Sequence, residues 1–497
     1  MKSKAMAFLV LFAFIFPLCI EQPVEEAEGK MAPELLKEDV EFLFRTIEEV
    51  HPNPYPYLEV KDDVLEKIDK PLTPIEFYKI LASVIDPVTV ELGDSHTIIG
   101  APKIDEKLFP LRVKIFKENE RYSMFVTEDY EEIPKGSEIL GINSLIASEL
   151  IERMMHERET PPSEGYRLAC MERGAFAENL FLEIGYSEEF DLNLKTPDGE
   201  IKRVTIPAEK IDLPALSGPS RPGKPWDFEI IDESGVIDKD GNIGLLTYNK
   251  MYNPIEFKTF LNDTFSEIKE KKIENLIIDL RENHGGIFMD GYFLLDYLAG
   301  GPFKMWSRME QRVSSQMLEQ NQNKEMMEMQ WELYWEPIFS HTGLTFDDFC
   351  GTFEGLEEGD LLIFEAPDTP PSEPNDLRFD GDVYALTSPF TFSGGMILAS
   401  AFKDNGIGTV VGEETGDWPT GYTSLYGITL PNSGIWVGCS QWHHVRPSGK
   451  DTGRGVIPDY EVKPKPEDLI TGEDRALNFV LEELIGNNYQ DNEEVKK

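Results

Sequence analysis

The stretch that most constrains the fold is residues 383–402, where an apolar run leads through a Ser/Pro/Thr turn into two glycines and a helical pattern. The run at 383–386 predicts a buried strand, and Gly394 and Gly395 open the helix that follows. Ser393 is therefore predicted to lie at a sharp corner between a strand and a helix. Such a corner presents a hydroxyl and lets a carbonyl approach the free N–H groups of the first helical turn. The pattern is typical of a serine nucleophile, although most such clusters only cap a helix.

A second stretch of the sequence has the same order of elements. Residues 274–280 predict another buried strand, a loop ending in Gly286 follows it, and residues 288–299 predict an apolar helix. Strand and helix patterns alternate over residues 243–411, which predicts an α/β fold with a largely parallel sheet and right-handed connections. Two such units make a catalytic role for the serine more plausible than one isolated turn does.

Six short strings of the sequence resemble strings of the tail-specific and tricorn-type serine peptidases, in that family's order and spacing. One is Asp-Leu-Arg-Glu-Asn-His-Gly-Gly at 279–286, and another is Thr-Phe-Ser-Gly-Gly at 391–395. The other four are Leu-Gly-Asp-Ser-His-Thr at 92–97, Ile-Pro-Lys-Gly-Ser-Glu-Ile-Leu-Gly-Ile-Asn at 133–143, Val-Gly-Glu-Glu-Thr at 411–415 and Gly-Val-Ile-Pro-Asp at 455–459. The similarity covers most of the chain between residues 36 and 465. The sequence is identified as a member of this family, in its secreted, histidine-containing branch.

The resemblance implies both a fold and an activity. The fold is a crotonase-like (ClpP/crotonase) spiral α/β core with an N-terminal helical domain and a degenerate PDZ-like, β-rich module. The activity is that of a serine endopeptidase, which hydrolyses peptide bonds through a serine nucleophile, a histidine base and a backbone oxyanion hole. Non-catalytic relatives share the fold, so binding of an apolar ligand or peptide in the same cleft is the alternative function. An acyl-CoA enzyme is less favoured, because the acidic composition and the secretion signal disfavour a phosphate-bearing intracellular cofactor.

The general base is predicted to be His96. Tail-specific members use a lysine about two dozen residues after the serine, but residues 412–420 contain no lysine. Tricorn-like members take a histidine from a region ahead of the core, and Asp-Ser-His-Thr at 94–97 resembles that string. An imidazole titrates near neutral pH and can carry a proton in both directions. A purely structural role for His96 stays open, and His284 and Lys403 are the rival bases.

The remaining parts of the predicted site are an oxyanion hole and a group that orients the imidazole. The backbone N–H groups of Gly286 and Gly394 are predicted to hold the oxyanion. Asp451 lies near the place where tricorn-type members carry an acidic residue, so it is the first candidate for the orienting group. Glu413 is its competitor. An acidic residue in a loop is by default only solvated.

The chain divides into segments with different patterns. They are a signal peptide at 1–21, an N-terminal helical domain at 31–100, the PDZ-like module at 107–156, a β-rich connection at 157–234, the α/β core at 235–465, and a C-terminal helix with a frayed tail at 466–497. Residues 301–380 form an insertion in the core that is crowded with methionine and tryptophan. Such stripes are usually core. The position of the insertion between the two glycine loops leaves a lid or substrate wall open.

In the N-terminal domain, two helical patterns are separated by the string His-Pro-Asn-Pro-Tyr-Pro-Tyr at 51–57. Similar strings occur in secreted members of the resembled family. Its three prolines predict that this segment is not helical. In the PDZ-like module, the sequence lacks a clear Gly-Leu-Gly-Phe-type loop, so capture of a peptide terminus there is an open question.

Composition limits the partners. The chain has 47 Lys plus Arg against 92 Asp plus Glu, a net charge of −45, so nucleic acid and anionic membranes should repel it. The expected partner is a peptide or an unfolded protein substrate, and the oligomeric state is undetermined. No metal-ligand spacing and no phosphate loop occur, so no cofactor and no metal are expected.

The first residues predict export. Lys2 and Lys4 precede an apolar run at 5–20, which is typical of a secretory signal cleaved near residues 19–22. The protein is therefore expected outside the cytoplasm without stable membrane insertion, and a retained N-terminal anchor is the alternative. Of the 4 cysteines, Cys19 would be removed, and the remaining spacing argues against a disulfide framework.

Overall fold

The structure is a computed structural model that describes residues 29–157, 163–211, 224–238, 241–372 and 375–486. The predicted signal peptide and the end of the predicted C-terminal tail lie outside these residues. The predicted α/β fold is confirmed: helices alternate with strands, and the strands form three sheets. No helix of the described residues combines the length and the apolar character needed to cross a membrane.

The N-terminal part of the described chain is helical. Its helices are Pro33–Val50, Tyr55–Glu59, Lys61–Glu66 and Pro74–Leu92. The last begins with a capping box, in which the Thr73 hydroxyl accepts the Glu76 N–H and the Glu76 carboxylate accepts the Thr73 N–H. The apolar side chains at helical spacing in the first helix are fully buried.

The prediction that residues 51–57 are not helical is wrong for their second half. A short helix begins at Tyr55, directly after Pro54, and Pro56 lies in its first turn. Proline is tolerated there, because an N–H in the first turn has no partner within the helix. The prolines therefore set where this helix begins.

The second part is an antiparallel, β-rich unit. Its strands are β2 (Val113–Glu118), β3 (Arg121–Val126), β4 (Glu138–Ile142), β5 (Leu145–Ile146), β6 (Glu189–Lys195) and β7 (Ile201–Pro207), in the order β2-β3-β4-β6-β7 with β5 beside β4. Its helices are Ala147–Glu157, Glu164–Cys170 and Phe176–Ile184, with a π-helical turn at Met171–Ala175 between the last two. The hairpin of β6 and β7 continues the sheet that β2 to β4 begin, and it lies within the segment predicted as a β-rich connection.

The core is a six-stranded sheet with the order β17-β14-β13-β10-β9-β8. Its strands are β8 (Trp226–Ile231), β9 (Ile243–Tyr248), β10 (Asn275–Asp279), β13 (Asp382–Thr387), β14 (Thr409–Gly412) and β17 (Tyr460–Glu461), and only β8 is antiparallel to its neighbour within the described chain. The helices Pro254–Lys271, Met289–Leu298 and Gly394–Asp404 connect these strands.

The register of β10 and β13 positions the site. Asp279 pairs with Leu386, so the two strands end level with one another. The glycine loop after β10 and the turn that carries Ser393 after β13 therefore leave the same edge of the sheet. In open α/β sheets, ligands bind at this carboxyl edge.

A third sheet joins segments that are distant in the sequence. Its strands are β1 (Ile98–Ile99), β11 (Arg308–Arg312), β12 (Leu361–Glu365), β15 (Gly421–Thr429) and β16 (Trp436–Val445), and all of their pairings are antiparallel. The order is β1-β16-β11-β12, and β15 also pairs with β16. Because β1 starts just after His96, this sheet ties the N-terminal helices to the core.

The insertion at 301–380 supplies β11, β12 and several short helices. These are Ser315–Asn321, Lys324–Gln330, Glu336–Phe339 and Phe346–Gly351, with a π-helical turn at Trp331–Trp335 and a 3-10 turn at Ser340–Thr342. Its Met305, Met309, Met327, Trp331 and Trp335 are buried in the main hydrophobic cluster together with the core helices. In this structure these side chains are core packing. The described part of the chain ends with the helices Pro466–Thr471 and Arg475–Phe479 and a π-helical turn at Val480–Ile485.

Candidate active site

The turn that carries Ser393 is strained and tightly fixed. Ser393 has φ 50° and ψ −122°, a backbone region that residues other than glycine rarely adopt. The Thr391 hydroxyl donates to the Leu280 carbonyl at 2.9 Å, and the Phe392 N–H donates to the Asn283 carbonyl at 3.0 Å. These contacts anchor the turn to the loop after β10. The Ser393 side chain is partly exposed at the start of the helix Gly394–Asp404.

His96 lies against this serine although 297 positions separate them in sequence. Its Nε2 is 3.1 Å from the Ser393 Oγ, within hydrogen-bonding distance. The imidazole is 5% exposed and stacks on the Phe392 ring, with the ring centres 5.2 Å apart. The hydroxyl and the imidazole therefore lie in the geometry that proton transfer from a hydroxyl to a base requires.

A buried carboxyl group that the sequence analysis missed completes this arrangement. His96 Nδ1 is 2.7 Å from the Ser95 Oγ, and Ser95 in turn makes a hydrogen bond with the Asp417 carboxyl. Asp417 is 1% exposed and accepts the backbone N–H of Ser393 at 3.2 Å and that of Trp418 at 2.8 Å. Burial raises the pKa of Asp417, while the nearby His96 and these donors oppose the rise.

The contacts of Ser95 fit one tautomer of the His96 imidazole. A hydroxyl has one proton to donate, and an ionised carboxylate can only accept. A Ser95 hydroxyl that donates to an ionised Asp417 accepts from His96 Nδ1–H. In that tautomer His96 Nε2 carries no proton and can accept one from the Ser393 hydroxyl.

Gly286 and Gly394 lie side by side. A Cβ atom built on Gly394 would lie 3.4 Å from the Gly286 nitrogen, and one on Gly286 would lie 1.8 Å from the Met251 carbonyl oxygen. Gly286 also has φ +126°, so no other residue fits there. Within the described residues, neither the Gly286 N–H nor the Gly394 N–H donates a hydrogen bond. Two free N–H groups beside a nucleophile can hold an oxyanion.

The two rival bases have other partners. His284 Nε2 is 2.8 Å from the Tyr166 hydroxyl, and its ring stacks on Phe392 at 4.9 Å. Lys403 Nζ forms an ion pair with Asp459 at 2.6 Å. Neither has a hydrogen bond to Ser393 within the described chain.

The structure does not bring the two predicted orienting acids to the imidazole. Asp451 is exposed in a turn, where its Oδ1 accepts the Gly453 N–H at 2.8 Å. The Glu413 carboxyl lies near Lys114 and Glu172, and burial raises its pKa to about 7. Among the hydrogen bonds of the described residues, none joins either acid to His96. The nearby acid is Asp417, which lies 24 positions after the serine, in the segment 412–420 where tail-specific peptidases carry a lysine.

No group of three or more His, Cys, Asp or Glu side chains that could hold a metal ion occurs among the residues that the structure describes. The arrangement of nucleophile, base and free N–H groups matches the parts that acyl transfer needs.

Comparison with known proteins finds a family model that matches part of the chain. The sequence model of peptidase family S41 matches residues 242–462, a range that contains Gly286 and Ser393 and excludes His96. Tricorn protease homolog 1 of Streptomyces coelicolor is 35% identical over 118 residues, which cover 22% of this chain and 10% of that protein. The chain thus spans about a tenth of the length of this curated relative.

Solved structures share the fold over nearly the whole chain. The structure of mature CPAF complexed with lactacystin has a TM-score of 0.65 and 14% sequence identity, and the match covers 92% of this chain and 99% of that one. Mature CPAF alone has a TM-score of 0.62 and 14% identity, with 92% and 98% covered. At this identity the likeness concerns the fold.

Proposed function

Because residues 242–462 match the sequence model of peptidase family S41, we propose that the protein is a serine endopeptidase with Ser393 as its nucleophile and His96 as its general base. The observation that carries the proposal is the 3.1 Å distance between His96 Nε2 and Ser393 Oγ. The two side chains are 297 positions apart in the sequence and meet at the carboxyl edge of the parallel sheet.

The proposed reaction is acyl transfer to water. The Ser393 oxygen attacks the peptide carbonyl while its proton passes to His96 Nε2. The tetrahedral intermediate collapses when the imidazolium returns this proton to the leaving amine, which leaves an acyl group on Ser393. A water molecule then gives a proton to His96 while its oxygen attacks the acyl carbonyl. The second tetrahedral intermediate collapses when the imidazolium returns this proton to the Ser393 oxygen, which breaks the ester bond and frees the carboxyl product.

The N–H groups of Gly286 and Gly394 hold the oxyanion in this scheme. Each such donor contributes a factor of roughly a hundred to a thousand in rate. The strained backbone of Ser393 supports the proposal, since residues in sparsely populated conformations concentrate at functional sites.

Ser95 and Asp417 orient and stabilise the imidazole in the proposed mechanism. The Ser95 hydroxyl accepts a hydrogen bond from His96 Nδ1–H and donates one to the Asp417 carboxylate, and no proton leaves either group. The buried charge of Asp417 then stabilises the imidazolium that forms during attack. Asp451 and Glu413 stay predictions from the sequence, and the contacts of Asp417 favour it over both.

We also infer the finer features of fold and context. The parallel sheet with helices between its strands supports a crotonase-like core, and the antiparallel sheet of β2 to β4 with the helix Ala147–Glu157 supports a PDZ-like module. The substrates are peptides or unfolded proteins. The apolar run after the lysines at the start of the sequence supports secretion.

The test is covalent labelling with a serine-reactive phosphonate together with turnover of a peptide library. Ser393→Ala should abolish both, since it removes the attacking oxygen. The matched control is Ser266→Ala, which changes an exposed serine on the helix Pro254–Lys271 and should leave both unchanged. Labelling that persists in Ser393→Ala would refute the assignment. Purified wild-type protein that carries a bound lipid and does not react with the reagent would instead identify a binding relative.

A further inference from the structure

A second buried carboxylate, Asp94, lies two residues before His96 and takes no part in the proposed chemistry. Its Oδ1 accepts the backbone N–H of His96 at 3.1 Å, the backbone N–H of Thr97 at 3.0 Å and the Ser440 hydroxyl at 2.5 Å. Its Oδ2 accepts His51 Nε2–H at 2.8 Å and the Tyr57 hydroxyl at 2.6 Å. Five donors thus converge on one side chain.

These donors leave the charge on Asp94. His51 Nδ1 accepts the Asn53 N–H at 3.0 Å, so this nitrogen carries no proton and the proton of the neutral ring is on Nε2. Burial alone would raise the pKa of Asp94, but the hydrogen bond and the coulombic attraction of His51, with hydrogen bonds from Ser440 and Thr97, outweigh it and hold the pKa well below the ordinary range. The group is an ionised carboxylate that hydrogen-bond donors solvate.

The cluster is closed to substrate. Asp94, His51 and Tyr57 are each 0% exposed. None of them can therefore touch a peptide in the cleft, and any effect on the reaction must act through another residue. The residue within reach is His96, because its own backbone N–H is one of the five donors.

The donors come from three separate parts of the fold. His51 and Tyr57 flank the short proline-rich segment of the N-terminal helices, and Ser440 lies on β16. The carboxylate joins both to the backbone at His96 and Thr97, directly before β1. The segment from Asp94 to Thr97 is thereby fixed on one side by helices and on the other by the third sheet.

Resting on the proposed function, we propose that Asp94 is a positioning residue whose hydrogen bonds to His51 and Tyr57 hold His96 at the nucleophile. His51 and Tyr57 of the string at 51–57 thereby have a role that the sequence does not reveal. They donate hydrogen bonds to the carboxylate of Asp94, which holds the backbone of His96 in place. His51 and Tyr57, which lie outside the range matched by the family model, then act on the reaction through the position of His96.

The decisive variant is Asp94→Asn, which keeps the size of the side chain and changes one acceptor into a donor. The new amide N–H groups face the His51 N–H and the Tyr57 hydroxyl, or else the two backbone N–H groups, so donors oppose donors. The imidazole should shift because these opposed donors move the backbone at His96. A displacement of about 1 Å costs on the order of 10²-fold in rate. We expect kcat and the phosphonate labelling rate to fall by that factor, with KM changed by less than about twofold.

Two control variants separate positioning from general stability. Leu81→Ala removes a buried side chain of the same helical cluster and should destabilise the protein without slowing the reaction. Tyr55→Phe changes an exposed tyrosine in the same proline-rich segment and should change nothing. Tyr57→Phe removes one donor and should lower kcat by about fivefold, the equivalent of one hydrogen bond.

The outcomes distinguish the inference from the function it rests on. If wild type neither turns over peptides nor reacts with the phosphonate, the proposed function fails. If wild type is active and folded Asp94→Asn retains kcat, or if Leu81→Ala at equal loss of stability slows the reaction as much, the positioning role is wrong. If Asp94→Asn does not fold, the comparison of kcat between Tyr57→Phe and Tyr55→Phe decides. Equal kcat values in these two variants would contradict the positioning role.

Discussion

Two buried carboxyl groups flank His96, and their surroundings push their pKa values in opposite directions. Asp94 receives five hydrogen bonds, and its pKa lies well below the ordinary range. Asp417 receives two backbone N–H groups and the Ser95 hydroxyl, and burial raises its pKa. Both are nearly free of solvent, so burial alone does not determine the charge of either.

The difference indicates that the two carboxyl groups have different roles. A carboxylate saturated with donors is rigid and stays charged, which suits the fixing of a loop. In a carboxyl group with fewer donors, the ionised form is less stabilised by hydrogen bonds. A positive charge that forms nearby therefore stabilises this form more. Asp417, next to His96, is the group whose ionised form a developing imidazolium would favour most.

The largest effect is expected from Asp417→Asn. The substitution keeps an acceptor for Ser95 but removes the negative charge that stabilises the imidazolium, so kcat should fall on the order of 10³-fold. Steady-state turnover of a peptide substrate and the labelling rate measure this. A loss smaller than tenfold would mean that Asp417 is not the orienting acid and would break the contrast with Asp94.

A smaller effect is expected from Ser95→Ala, on the order of 10²-fold in kcat, because water can replace part of the lost link. If Ser95 and Asp417 act as one unit, the double variant should be no slower than Asp417→Asn by more than about threefold. A double-variant cycle on kcat/KM measures the coupling. Losses that multiply would show that the two side chains act independently.

Asp290 is a third buried acid, and its effect should appear in the pH dependence of the free energy of unfolding. Burial raises the pKa of Asp290 to about 8, and the backbone N–H groups of Tyr252 and Asn253 only partly oppose the rise. The folded protein then holds a proton that the unfolded chain releases above about pH 4, so the free energy of unfolding should fall as pH rises from about 4 to about 8.

Asp290→Asn cannot ionise and should lack this fall. At pH 9 it should be more stable than wild type by about 5 kcal/mol, the equivalent of a pKa raised from about 4 to about 8, and the difference should disappear near pH 4. Denaturant unfolding across this pH range gives the comparison, with the exposed Asp62→Asn as a control that keeps the wild-type slope. Parallel curves for wild type and Asp290→Asn would contradict the assignment of a raised pKa.

The smallest effects are expected from Asp451→Ala and Glu413→Gln. Neither side chain has a hydrogen bond to His96 in the described part of the chain, so kcat should stay within about threefold of wild type, the range of a weak indirect contact. The same turnover measurement decides. A loss from Asp451→Ala that matches the loss from Asp417→Asn would restore Asp451 as the orienting group.

The local turns of the site could be predicted from the sequence because their residues determine them. A strand, a Gly-Gly pair and a helix define the corner at Ser393 and the loop at Gly286 without reference to the rest of the chain. The level ends of β10 and β13 then follow from parallel pairing. The pairing of His96 with Ser393 was a hypothesis from family resemblance, since no local pattern links residues so far apart.

The role of Asp417 could not be predicted in the same way. Its partners are the Ser95 hydroxyl, which the N-terminal part supplies, and the Ser393 N–H, which depends on the backbone of the turn. Only the packing of the third sheet brings these together. Asp451 was predicted because tricorn-type peptidases carry an acidic residue near this position. A position in the sequence does not give the distance from a carboxylate to the imidazole.

The most direct test of the central claim is the rate of phosphonate labelling in wild type and His96→Ala, with the modified residue located by mass spectrometry. The account predicts a single adduct, on Ser393, and a labelling rate at least about 10²-fold slower without the imidazole, the contribution of a positioned general base. Labelling of Ser393 at the wild-type rate in His96→Ala, or an adduct on a different residue in wild type, would contradict it.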